Sequence, residues 1–323
     1  MRTRFRGITR REGVLIQGPA GWGEFSPFAD YGPREAARWL AAAREAAQVG
    51  WPAPVRDRIP VNVTVPAVGP DRAFAITRVS GCRTAKVKVA ERGQREADDI
   101  ARVEAVREAI GPGGRVRIDV NGLWSVDQAV RMIKTLDRFD LEYVEQPCAT
   151  LEELAAVRRR VDVPVAADES IRRAEDPLRV RAAEAADVAV LKVQPLGGVR
   201  AALRVAEACG LPVVVSSAVE TSVGLAAGLA LAAALPALPF ACGLGTMSLL
   251  EGDVVADPLV AEDGSIPVRR PAVDEATLAR HEAGEPTVTA WRERMRESEA
   301  FLEPAGCVVG SAGSVDDVEG SGE

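Results

Sequence analysis

Lysine is scarce in this chain of 323 residues: of its 40 basic residues only four are lysines, Lys86, Lys88, Lys134 and Lys192. Arginine stays protonated at any working pH, whereas a lysine amine gives up its proton when its surroundings press on it. The few lysines therefore mark places where a titratable amine is wanted. Lys134 is the exception, because it sits in the amphipathic helical stretch "SVDQAVRMIKTLDRF", where a solvated lysine is ordinary. Aromatic residues are 4% of the chain, so stacking platforms for nucleic acid are scarce. A net charge of -7, a pI near 5.2 and the lack of a basic cluster interleaved with aromatics argue against that class of partner. No protein partner is evident either.

The single histidine, His281, falls in a flanking segment and is not read as a catalytic base. Five cysteines, Cys82, Cys148, Cys209, Cys242 and Cys307, include no close metal-type pair. Their odd number suits a reducing compartment, and they read as inert packing residues. No apolar run follows the basic start, so a secretory leader is not expected. The most apolar stretch, "VGLAAGLALAAAL" at 223 to 235, falls short of the roughly 20 residues of a membrane span and ends at Pro236. It reads as a buried helix, and the expected location is the cytoplasm, with no membrane partner.

From residue 59 onward short β-branched runs alternate with amphipathic helical stretches. The runs are "IPVNVTV" (59 to 65), "TAKVKVA" (84 to 90), "RVRIDV" (115 to 120), "LEYVEQ" (141 to 146), "VPVAAD" (163 to 168), "DVAVLKV" (187 to 193), "LPVVVSS" (211 to 217) and "FACGLG" (240 to 245). Alternation of this kind implies parallel pairing through right-handed crossovers. Eight units fit an α/β fold of the (β/α)8 TIM-barrel type better than a doubly wound sheet, whose glycine-rich phosphate loop is missing from "VTVPAVGPDRAF". Helix punctuation agrees: Thr150 and Glu153 form a capping-box pair, and Gly111 closes the helix before it. The expected domains are residues 1–55 and 251–303 as two parts of a small α+β cap, 56–250 as the barrel, and 304–323 as a disordered acidic tail.

Barrel chemistry sits at the C-terminal strand ends. Five consecutive runs each present an ionisable group there: Lys86 and Lys88, then Asp119, Glu145, Asp168 and Lys192. The steps from Asp119 to Glu145, Asp168 and Lys192 are 26, 23 and 24 residues, one βα unit each. Three carboxylates in one barrel mouth repel strongly unless a cation neutralises them. Mg2+, hard and suited to carboxylate oxygens, is the expected ion, with Mn2+ as an alternative.

In this order, "KVKV", "DVN", "EQP", "DES" and "LKVQP" resemble the enolase superfamily, in its muconate-lactonizing subgroup. The resemblance covers nearly the whole chain and implies an enolase-like barrel whose capping domain comes from both termini. It implies Asp119, Glu145 and Asp168 as metal ligands, Lys88 as the base that takes the proton alpha to a carboxylate, and Lys86 as the residue that tunes it. Lys192, opposite, implies a cation that stabilises the enediolate. The stretches "GWGEFSPFADYGPREAARWL" and "SSAVETSVGLAAG" are similar to the dehydratases of menaquinone biosynthesis in that subgroup. A hydro-lyase acting on a small carboxylate is therefore expected, with an N-succinylamino acid racemase or dipeptide epimerase as the alternative. Asn121 would orient a ligand or the substrate, or simply form a turn. Ser216 and Ser217 would bind the substrate's succinyl group or end a strand. Glu169 would stand beside the metal or cap a helix.

Overall fold

The computed structural model describes residues 1–172 and 178–302, so the expected tail and Cys307 lie outside the described residues. Eight parallel strands form the barrel: β3 (Arg58–Val65), β4 (Thr84–Lys88), β5 (Arg115–Asp119), β6 (Leu141–Glu145), β7 (Val165–Ala167), β8 (Val188–Leu191), β9 (Val213–Val215) and β10 (Cys242–Gly245). They pair in the order β10-β3-β4-β5-β6-β7-β8-β9. A single parallel bridge, Ser216 to Gly243, closes the ring between β9 and β10. Each strand coincides with one of the eight runs read from the sequence.

The connecting helices are α2 (Pro70–Val79), α3 (Glu96–Ile110), α4 (Val126–Leu136), α5 (Leu151–Arg158), α6 (Glu169–Arg172), α7 (Arg179–Ala182), α8 (Val193–Leu196), α9 (Val199–Cys209) and α10 (Ser222–Ala234), after the cap helix α1 (Pro33–Arg44). The Thr150–Glu153 capping box forms with both reciprocal hydrogen bonds. Gly111 closes α3 at φ +74°, where a side chain would be strained. Helix α10 is apolar all round and buried all round, as its sequence requires.

Strand parity decides what faces the barrel interior. Ala85, Val87, Val116, Ile118 and Leu191 pack outward under the helices in the main core. Tyr143, Ala166, Val188, Val190 and Val214 fill the interior as a separate cluster. Continuing that inner parity upward gives Lys86, Lys88, Asp119, Glu145, Asp168 and Lys192. Below them Arg117, fully buried, hydrogen-bonds Glu142, Asn62 and the Ala241 carbonyl, with its guanidinium over the Tyr143 ring.

The cap gathers most of the few aromatics. The antiparallel hairpin β1 (Val14–Gly18) and β2 (Gly21–Phe25) packs on α1, whose partner from the far end of the chain is α12 (Glu285–Glu299), preceded by α11 (Glu275–Arg280). Phe25 meets Trp291 edge-on at 5.9 Å, and Phe28, Tyr31 and Trp39 form a second aromatic group. Gly23 allows β2 to lie against α1: a Cβ there would stand 2.0 Å from the Ala43 carbonyl oxygen. Between β10 and α11 lies β11 (Ser265–Pro267), which pairs antiparallel with β3 and so belongs to the barrel wall. After β10 the chain makes a short 3-10 turn, Met247–Leu249, and continues to β11 without a barrel helix.

Candidate active site

Lys88, Asp119 and Glu145 are the last residues of β4, β5 and β6, and the register places Lys88 opposite Asp119 and Asp119 opposite Glu145. Asp168 and Lys192 directly follow β7 and β8. In the ring β4 is the second strand and β8 the sixth, counting from β3, so Lys88 and Lys192 stand on opposite walls. All six groups are buried or nearly so, and the three acids are at most 2% exposed.

Each acid is held by cations. Lys88 Nζ donates to Asp119 Oδ2 at 2.5 Å and to Asn121 Oδ1 at 2.7 Å. Lys86 Nζ lies 3.0 Å from both Glu145 oxygens and 3.4 Å from Asp119. Lys192 Nζ donates to Asp168 Oδ2 at 2.5 Å, and Arg172 Nε to Asp168 Oδ1 at 3.0 Å. Glu169 accepts from Asn121 Nδ2 at 3.2 Å and from Arg172.

The electrostatics follow from this crowding. Burial pushes the Lys88 amine below its ordinary value, and the Lys86 charge adds to that push while Asp119 opposes it. Burial also works against the Lys86 ammonium, but Glu145 and Asp119 outweigh it and hold Lys86 above the usual lysine range. Glu145 is pushed up to about 7 by burial and by the Asp119 charge. Burial would raise Asp119 and Asp168 as well, yet Lys88 and Lys86 on one, and Arg172 and Lys192 on the other, hold both well below the carboxylate range. The sequence reading credits Lys86, together with a metal ion, with lowering the Lys88 pKa; burial adds to the Lys86 push and exceeds it.

Among the described residues no three acid, cysteine or histidine side chains are already arranged to hold a metal ion. The donor set nevertheless fits a hard divalent cation. It consists of carboxylate oxygens on neighbouring strand ends, and the mutual repulsion that raises Glu145 shows the negative charges to be within electrostatic reach of each other. Glu169 Oε2, beside Asp168, is buried with no hydrogen-bond partner.

A cavity of about 30 Å³ lies over the cluster, bordered by Lys86, Lys88, Asp119, Asn121 and Lys192. Phe5 and Phe28 from the cap, with Ser216, Ser217 and Thr246, complete its wall. That volume holds a water or two. A larger cavity, about 430 Å³, runs outside the barrel between α2 and residues 247–261, and none of the expected site residues lines it. The ionisable groups, rather than the volume, locate the chemistry.

Every candidate residue from the sequence lines the cavity or touches a residue that does. Asn121 adopts φ +52° as its place before Gly122 suggests, and it also bonds Lys88 and Glu169. Ser216 lines the wall with one long bond, 3.5 Å, to the Gly243 carbonyl. The Ser217 hydroxyl is engaged by Glu220, Thr246 and the Val219 N–H. His281 is exposed at the end of α11. Cys82, Cys148, Cys209 and Cys242 are buried free thiols.

Two residues escaped the sequence reading. Gln146, from "EQP", accepts the N–H groups of Asp168 and Ser170 on Oε1 and so fixes the turn that presents Asp168. Arg172 grips Asp168 and Glu169 and reaches Tyr31 of the cap. Gln146 carried a signal, since it belongs to a strand-end motif. Arg172 carried none, being one arginine among many.

Comparison with known proteins follows the same lines. The family model for enolase C-terminal domain-like chains matches residues 71–272, and that for enolase N-terminal domain-like chains matches residues 1–47. An o-succinylbenzoate synthase of Thermobifida fusca is 73% identical over 303 residues, 94% of this chain and 95% of that protein. One of Mycolicibacterium smegmatis is 57% identical over 304 residues, 94% of each. Among solved structures, muconate cycloisomerase from Pseudomonas fluorescens superposes with a TM-score of 0.71 at 23% identity, over 84% of this chain and 97% of its own. The L-Ala-D/L-Glu epimerase of Bacillus subtilis gives a TM-score of 0.68 at 24% identity, over 80% and 88%. These two likenesses speak for the barrel and its cap alone. With both enolase-like models matched and relatives this similar over nearly its whole length, the chain belongs to the enolase superfamily, within the o-succinylbenzoate synthase family.

Proposed function

We propose that this chain converts 2-succinyl-6-hydroxy-2,4-cyclohexadiene-1-carboxylate to 2-succinylbenzoate and water, a hydro-lyase step of menaquinone biosynthesis. The observation that carries the reading is the pair of amines, Lys88 and Lys192, facing each other across three buried acids at the strand ends.

Asp119, Glu145 and Asp168 would hold a divalent cation, magnesium by the hardness of their oxygens, with manganese as the alternative. When bound, such an ion supplies Lewis-acid neutralisation of the charge that grows on the substrate carboxylate. Lys88 takes the proton alpha to that carboxylate, a task for which its amine must be neutral; burial and the Lys86 charge both favour that form. The C–O bond on the same face then breaks, and the hydroxyl leaves as water with the proton that Lys88 carried. Electrons from the broken C–H bond complete the aromatic ring, so the bookkeeping needs no redox partner. Lys192, as an ammonium on the opposite wall, stabilises the charge between the two steps. Ser216 and Ser217 border the space left for the succinyl arm, Asn121 orients Lys88, and Glu169 braces Asn121 and Arg172. The cap residues Phe5 and Phe28 border the space above the amines.

The cap from both termini, the barrel between them and a compartment that keeps the cysteines reduced belong to the same proposal. Among the described residues no helix is long and apolar enough to cross a membrane. The test is a direct assay of the cyclohexadiene dehydration with magnesium, repeated on Lys88→Ala and Asp168→Asn. Turnover is expected for the unaltered chain and its loss in both variants; normal turnover by either would refute the assigned roles.

A racemase or epimerase would use the same two amines as opposed bases. Incubation of an N-succinylamino acid in deuterated water separates the readings, since fast exchange with inversion belongs to the racemase alone.

A further inference from the structure

We propose that Arg172 is a positioning residue through which one guanidinium ties both opposed amines, Lys88 and Lys192, to the cap. The inference rests on the reading of Lys88 and Lys192 as the working pair.

The guanidinium is 3% exposed and reaches three residues with three different nitrogens. Its Nε donates to Asp168 Oδ1 at 3.0 Å, and the other oxygen of that carboxylate receives Lys192 Nζ at 2.5 Å. Its Nη2 donates to Glu169 Oε1, which also accepts from Asn121 Nδ2 at 3.2 Å; Asn121 Oδ1 in turn receives Lys88 Nζ at 2.7 Å. Its Nη1 donates to the Tyr31 hydroxyl. Two hydrogen-bonded chains therefore leave Arg172, one to each wall of the barrel, and a third bond leaves toward the cap.

The cap end is firm. Tyr31 stacks with Phe28 and packs edge-on against Trp39 at 5.7 Å. Arg294 of α12 donates to the Tyr31 and Phe28 carbonyls, so both ends of the sequence brace this point. Phe28 also roofs the cavity. A shift of the cap at Tyr31 is thus felt at Arg172, and from there at both acids and both amines.

The residue type fits the task. A planar guanidinium offers donors in fixed divergent directions, whereas an ammonium offers a compact point charge at the end of a flexible stem. Arg172→Lys keeps the charge near Asp168 and cannot serve Asp168, Glu169 and Tyr31 together. Helix α6 is a single turn, so Arg172 and Asp168 are brought together by one turn of backbone that Gln146 fixes from the neighbouring strand.

Because the chain has only four lysines, amine reactivity reads this arrangement directly. Arg172→Lys, Arg172→Ala and Tyr31→Phe would be acetylated under limiting reagent and the extent at each lysine measured by mass spectrometry. Exposed Lys134 serves as the reference, and Lys86, bound to Asp119 and Glu145 and to neither chain, serves as the control for general loosening. In the Arg172 variants Lys88 and Lys192 should both gain reactivity relative to Lys134, by roughly twofold to tenfold for the loosening of a hydrogen-bonded partner, while Lys86 stays near its wild-type level. Tyr31→Phe should give the same pattern at smaller amplitude. Unchanged Lys88 and Lys192 would overturn the inference, and so would an equal rise at Lys86. In the dehydration assay Arg172→Ala should lower kcat with KM nearly unchanged, and added guanidinium ion should restore part of it; a rise in KM alone would count against a positioning role. A wild-type chain that labels as expected but fails to dehydrate the substrate would sink the proposed reaction and leave the role of Arg172 standing.

Discussion

In Lys192→Met the amine that faces Asp168 across 2.5 Å is replaced by a thioether of similar length, and the acid keeps a second partner, Arg172, at 3.0 Å. Stranding a buried charge costs about 3–5 kcal/mol, but that penalty applies only when no partner remains. Asp168 retains the guanidinium and its N-terminal position on α6, so the expected loss of stability is about 1 kcal/mol, seen as a fall in Tm of roughly 1–2 °C. Activity responds on a different scale. Removing one preorganised group that stabilises developing negative charge costs about 2.7–4 kcal/mol, or about 10²–10³ in kcat. Thermal unfolding followed by circular dichroism, and the dehydration assay on the same preparation, measure the two numbers together. The reasoning extends to Lys88→Met, since Asp119 keeps Lys86 at 3.4 Å; there kcat should fall by about 10²–10⁴, and exchange of the alpha proton with solvent deuterium should stop. A Lys192→Met chain that keeps kcat within tenfold of the wild type would refute the electrostatic role. One that no longer unfolds cooperatively would refute the claim that the two-cation arrangement protects the fold.

Chelation of the divalent ion should abolish turnover while leaving the far-ultraviolet spectrum unchanged, because lysines and Arg172 already neutralise the acids; added magnesium should restore it, and turnover undiminished by chelation would refute the metal assignment. Glu145 supplies a pH dependence in the chelated protein. Its folded pKa, about 7, lies above the ordinary 4.5, so its contribution to stability is full below 4.5 and is lost as pH rises through 7. Glu145→Gln should therefore gain on the wild type between pH 5 and 8 by at most ~3 kcal/mol, read from urea midpoints at each pH; a difference that is flat with pH would contradict the assignment. Gly23→Ala drives a Cβ to 2.0 Å from the Ala43 carbonyl oxygen and should destabilise the cap by about 1–3 kcal/mol or more, whereas Gly32→Ala, with nothing within 4 Å, should change Tm little.

The barrel was legible because a parallel strand buried on both faces has to be written as a short, mostly apolar run, and there were eight of these between helical stretches. The six charged residues were legible because they interrupt such runs at their ends on the inward parity. The absence of a helix after β10 was not legible in the same way. Nothing local in "GLGTMSLLEGDVVADPLVAEDGSIPV" says that the chain will return to pair with β3, because that pairing depends on a strand some 200 residues earlier. Tertiary pairing of this kind leaves a weak local pattern, and β11 is three residues long.

The same distinction separates the lysines from Arg172. A lysine in this chain is conspicuous because arginine has displaced it almost everywhere else, so each survivor invites a chemical reason. An arginine is camouflaged by that same bias: Arg172 is one of two adjacent arginines in "SIRRAED", and nothing in the letters marks it as buried. What selects Arg172 is a helical phase, four residues beyond Asp168 on a one-turn helix, together with a tyrosine 141 positions earlier that the cap brings to meet it. The strand-end acids can be read from strand periodicity because each belongs to its own βα unit. The residue that connects those units to the cap belongs to the assembly of the two, and it becomes visible only when the barrel and the cap are placed together.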